Sequence, residues 1–100
     1  MRPSLSAPAV MKTKTPKLAE LTDRILFGDL WQRPDLSLRD RSLITVAVLI
    51  AQSRLEQLPF HFALAREHGV REEELAEVVT HLAFYAGWPA AASALTRLEP

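Results

Sequence analysis

The chain contains no cysteine. Disulfides, thiolate zinc sites, iron–sulfur ligation and a cysteine nucleophile are therefore all excluded. It also lacks an excess of either charge. Twelve Lys and Arg balance twelve Asp and Glu, so phosphate neutralisation, the basis of non-specific nucleic-acid binding, has no support in the totals. Only three histidines are present, which leaves few ligands for a metal. No long hydrophobic run occurs. The most apolar stretch, Leu43 to Ala51, is about half of a membrane span. The first residues carry Pro3 and Pro8 and lead into no apolar segment of signal-peptide type. These features give the expectation of a soluble, cytoplasmic protein with neither nucleic acid nor membrane as a partner.

What is present is apolar and helical in pattern. At 48% hydrophobic over 100 residues, the composition suits one small folded domain and not a disordered chain. Residues 1–15, with Pro3, Ser4, Ser6, Pro8 and the run Lys12 to Thr15, have no apolar period. They read as a flexible N-terminal tail, and residues 16–100 as the folded domain. Thr15-Pro16 has the form of a helix start, and Leu18, Leu21 and Ile25 mark one face up to Gly28. Ser37 is placed to cap a second helix running to about Gln52. That helix is apolar all round past its first turn, which predicts burial on every side. A third helix is expected over about Leu55 to His68, with Gly69 as its cap. A fourth opens on Arg71-Glu72-Glu73-Glu74, where carboxylates suit the helix dipole, and runs to Ala86. A fifth follows Pro89 through Leu98. The fold class is all-α, with about five helices.

The fourth helix has two apolar faces. Leu75, Val78, Val79, Leu82 and Ala86 form one, while His81, Phe84 and Trp88 fall on another side. One small core can satisfy one face, so the second predicts self-association. The competing reading packs Phe84 and Trp88 beneath the fifth helix.

Few side chains can do chemistry. His61 borders an apolar helix face, and an imidazole with an ordinary pKa near 6.5 can act as acid or base. It can equally be a hydrogen-bonded structural residue. His81 has Tyr85 one turn on, so their rings can meet, in a pocket or at an interface. His68, beside Gly69, reads as a surface residue at a helix end. Arg33, Arg39 and Arg41 cluster with Asp35 and Asp40. They either grip an anion or pair with those aspartates at the surface. No phosphate-binding glycine loop, nucleophile elbow or metalloprotease helix is found.

The order of motifs is more specific than any one of them. Gly28-Asp29-Leu30-Trp31-Gln32-Arg33-Pro34 leads to Arg39-Asp40-Arg41-Ser42-Leu43. Arg54-Leu55-Glu56-Gln57-Leu58 and His61 follow, then Gly69-Val70 and Glu77-Val78. The chain closes with His81-Leu82-Ala83-Phe84-Tyr85-Ala86-Gly87-Trp88-Pro89-Ala90. Over about residues 18–98 this resembles the carboxymuconolactone decarboxylase family, and within it the 4-carboxymuconolactone decarboxylase branch. The resemblance implies an alkylhydroperoxidase-D-like helical fold assembling as a trimer or hexamer. It also implies cofactor-free decarboxylation of a small carboxylated lactone in aromatic-acid catabolism.

In the family's peroxidase members, a Cys-x-x-Cys pair precedes a His, and a Glu relays protons. Those positions fall on Arg54, Gln57 and Ser42 here, which disfavours peroxidase activity. The resemblance gives His61 and His81 as catalytic candidates. It gives Arg39 and Arg41 as carboxylate ligands, with Glu56, Tyr85 and Trp31 as further substrate-binding candidates. It implies neither metal nor cofactor. A shorter N-terminal region and bulkier neighbours such as Phe60, Phe62 and Trp88 depart from the branch. They leave open a family member that binds a small organic acid or a partner without turnover.

Overall fold

A computed structural model describes residues 5–98. Among these there are six α-helices and no strand. The helices are α1 (Ala9–Lys14), α2 (Pro16–Leu21), α3 (Leu38–Ala51), α4 (Leu58–Glu67), α5 (Glu72–Tyr85) and α6 (Trp88–Leu95). No helix is long and apolar enough to cross a membrane among the described residues. The chain divides into two compact units, residues 1–36 and 37–100.

In the first unit, α2 runs on into a π-helical stretch, Thr22–Phe27, that stops at Gly28. The stop is steric. A Cβ at Gly28 would stand 2.6 Å from the Asp23 carbonyl oxygen and 2.8 Å from that of Arg24, so no side chain fits there. The expected tail contains a helix. Ala7 is buried, its N–H donates to Asp23 Oδ1 at 2.6 Å, and α1 follows with Lys12 and Lys14 in its last turn. Those cations suit the negative end of a helix, a local signal without apolar period. Residues 1–4 of that stretch lie outside the described residues. Thr15 precedes α2 as expected, but its hydroxyl donates backward to the Met11 carbonyl at 3.0 Å and does not cap α2.

The second unit holds the main core. Val46 and Ile50 of α3, Leu58, Phe62 and Ala65 of α4, Leu75 of α5 and Ala94 of α6 are fully buried in one cluster. The helix starts follow local chemistry. Ser37 Oγ accepts the Asp40 N–H at 2.9 Å at the head of α3. At the head of α5, Glu74 Oε1 accepts the Arg71 N–H at 2.9 Å. Gly69, with φ +94°, reverses the chain after α4 in a conformation that L side chains rarely adopt. Helix α3 packs against both α4 and α5.

Two packing expectations turn out differently. Helix α3 is not buried on every side, since Ile44 and Val48 are 56% and 46% exposed. A unit with three further helices covers only part of its circumference. Nor do Phe84 and Trp88 pack beneath α6. They remain 87% and 72% exposed, because α6 meets the core through Ala91 and Ala94.

Candidate functional site

Helices α3 and α5 frame a groove of about 490 Å³. Leu43, Ile44 and Ala47 come from α3, and Val78 and Leu82 from α5, giving it apolar walls. The polar side chains on the groove all come from α5: Glu74, Glu77 and His81. Steps of three and four residues place them on one helix stripe. That stripe lies beside the Leu75 and Val79 stripe buried in the core, so packing of α5 turns it toward the groove.

The electrostatics at one end are set by Glu74. Its Oε2 accepts from Arg39 Nη2 of α3, while its Oε1 holds the Arg71 N–H. The backbone N–H of Arg71, and after it the Arg39 guanidinium, keep this carboxyl below its ordinary pKa. The expected Arg39 grip on a carboxylate therefore exists, but its occupant is Glu74. At the other end the His81 and Tyr85 rings stack, with centroids 4.8 Å apart and planes at 23°. Tyr85 is 79% exposed and is not itself among the groove walls. An apolar trough with the Arg39 and Arg71 guanidiniums paired to Glu74, a second carboxylate and an imidazole at its border can hold a small acid. It can also exchange a proton with that acid.

The remaining candidates are dispersed. His61 sits on α4, half-buried, with the Phe60 ring edge-on at 5.0 Å. Burial pushes its pKa below the ordinary value, and it is not among the groove walls. Arg41, the second expected carboxylate ligand, is buried on α3. Glu56 is exposed on the 3-10 turn Leu55–Gln57. Trp31 belongs to the first unit, where it is buried with its ring 6.4 Å from that of Phe27 at 62°.

Two features were missed by sequence reasoning. Glu74 and Glu77 share the His81 stripe, which their helical spacing alone could have revealed. His68 is no simple surface residue, because its Nδ1 lies 2.8 Å from Ser42 Oγ. Ser42 is fully buried on α3, so the pair ties α3 to the end of α4.

Comparison with known proteins agrees with this architecture. Residues 16–100 match the carboxymuconolactone decarboxylase family. A 4-carboxymuconolactone decarboxylase of Acinetobacter baylyi is 40% identical over 76 residues, covering 76% of this chain and 57% of that protein. A nitrosuccinic acid decarboxylase of Metarhizium robertsii is 38% identical over 76 residues, covering 76% of this chain and 53% of its own. The chain thus spans about half the length of the curated relatives it matches. Its all-helical fold, motif order and match over residues 16–100 give one conclusion: the chain belongs to the carboxymuconolactone decarboxylase family.

Proposed function

We propose that the chain decarboxylates a small polycarboxylic acid of the 4-carboxymuconolactone type, without a cofactor. The observation that carries this reading is the apolar α3–α5 groove with His81 on its wall and Arg39 at the Glu74 end. The substrates named for the two relatives share a chemical logic. Each has a carboxylate positioned near an electron-withdrawing group, a lactone carbonyl or a nitro group. When the bond to the leaving carboxylate breaks, its electron pair moves into that group and CO2 departs. A proton donor then completes the product. The substrate supplies its own electron sink, so no cofactor is needed for this step.

The groove residues fit those tasks. Arg39 binds a carboxylate that is retained and so fixes the substrate's register. The walls of Leu43, Ala47 and Leu82 surround the departing carboxylate with apolar surface, which favours its loss as neutral CO2. His81 delivers the proton and Tyr85 orients its ring. His61 is the competing proton carrier, and Arg41 and Glu56 are further substrate-binding candidates. We also propose that the exposed aromatics Phe84, Tyr85 and Trp88 meet a second copy of the chain, giving a trimer or hexamer.

One observation favours a second reading, binding of a small acid without turnover. Two of the three polar side chains on the groove are carboxylates, which weakens anion capture. A turnover assay separates the readings. 4-Carboxymuconolactone and nitrosuccinate are offered to wild type, His81→Asn and His61→Ala, with CO2 release followed. Turnover by wild type that falls at least about a hundredfold in His81→Asn supports the groove mechanism. Binding of either acid without CO2 release supports the second reading. An equal loss in His61→Ala alone would move the proton donor to α4.

A further inference from the structure

We propose that Glu74 is a built-in competitor for the substrate carboxylate, holding Arg39 until a ligand's carboxylate displaces it. The inference rests on the reading of the α3–α5 groove as a small-acid site.

Three observations lead to it. First, Arg39 and Glu74 face each other across the two helices that form the groove, and Glu74 is itself part of the wall. Second, both side chains are partly exposed, at 39% and 28%. A pair of that kind is weak and can exchange partners. Third, Glu74 has a second post. Its other oxygen accepts the Arg71 N–H at 2.9 Å and lies 3.5 Å from Arg71 Nε. When Arg39 turns to a ligand, the carboxylate stays anchored at the head of α5.

The consequence is selectivity. An approaching anion meets Glu74 and Glu77 on the wall, so a single weak anion gains little. A ligand that offers a well-placed carboxylate to Arg39 replaces Glu74 in kind, and the cation stays neutralised throughout, whereas a neutral ligand cannot make that exchange. Glu74 therefore acts as a specificity-determining residue through Arg39, with no direct part in bond breaking.

The test uses Glu74→Gln in the full chain. Glutamine can still accept the Arg71 N–H, so the α5 cap persists while the competing charge is gone. Succinate and its neutral counterpart succinamide are titrated into ¹⁵N-labelled protein, and shifts at groove amides are followed. The expected result is about three- to fivefold tighter succinate binding in Glu74→Gln. Succinamide binding is unchanged, and the gain disappears in Glu74→Gln/Arg39→Gln. A merely structural role for Glu74 would alter both ligands alike. If wild type binds succinate in the groove but Glu74→Gln binds it equally or more weakly, the competitor role is overturned and the groove reading stands. If no variant shows shifts at groove amides, the small-acid site itself is overturned, and this inference with it.

Discussion

Replacing Phe84 and Trp88 together by serine tests the proposed assembly. The two side chains are 87% and 72% exposed in the single chain, so they contribute little to its own core. A large aromatic buries about 150–250 Å², and the pair as placed offers roughly 300 Å² to a partner. At about 25 cal/mol per Å², full burial contributes roughly 7 kcal/mol per copy. An interface that covers only a third of that surface still loses about 2.5 kcal/mol, or roughly sixtyfold in association. The chain itself is affected by no more than about 0.5 kcal/mol, as is usual for exposed sites. Sedimentation velocity across a concentration series reads the assembly, and far-ultraviolet circular dichroism reads helix content. Wild type sediments as an oligomer and the double variant as a helical monomer. A wild type that stays monomeric at every concentration refutes the reasoning. So does a double variant that assembles as wild type does.

Two further outcomes follow from buried polar groups in the second unit. The His61 pKa is lowered from 6.5 in the folded chain by burial. Below pH 6.5 the unfolded chain therefore holds more protons than the folded one, and stability falls as pH drops until the folded-state value is passed. Chemical denaturation from about pH 8 to pH 5 shows this slope. His61→Gln flattens it, and matching slopes in the two proteins would count against the burial argument. Ser42 is fully buried and 2.8 Å from His68 Nδ1. Ser42→Ala lowers unfolding free energy by about 1 kcal/mol and leaves turnover intact. A large loss of turnover would instead put the pair in the active site.

Helix boundaries were legible where chemistry is local. Ser37, Gly69 and the three glutamates after Arg71 mark their ends within a residue or two. The apolar period of α5 picked out Leu75 and Val79 as core. The exposed aromatics Phe84 at the end of α5 and Trp88 at the start of α6 were legible as a surface in excess of one core. The helix α1 was not legible, because it buries no residue and so carries no apolar stripe; the Ala7 N–H held by the Asp23 carboxylate lies just before it. Nor was the exposure of Ile44 and Val48. An all-apolar helix signals burial, yet composition does not say whether its own chain or another copy provides the cover.

The site was legible in its residue types and not in their pairing. His81 stacking on Tyr85 follows from helical spacing alone. The Arg39–Glu74 pair joins residues 35 positions apart. Only the packing of α3 on α5 could reveal that Glu74 occupies the cation expected to hold a substrate. The same holds for Ser42 and His68, 26 positions apart, where a residue read as surface became a tie between helices. The family resemblance favours His61 as the proton carrier, with His81 a second candidate beside Tyr85. They diverge in the fold because the groove takes α3 and α5 as its walls and leaves His61 on α4 outside them.

The central claim is that the α3–α5 groove supports decarboxylation with His81 as proton donor. Its most direct test is CO2 release from 4-carboxymuconolactone by wild type and His81→Asn, with binding measured in both. The account predicts turnover by wild type. It also predicts a His81→Asn variant that binds the lactone with similar affinity and turns it over at least about a hundredfold more slowly. Undiminished turnover in His81→Asn would contradict it.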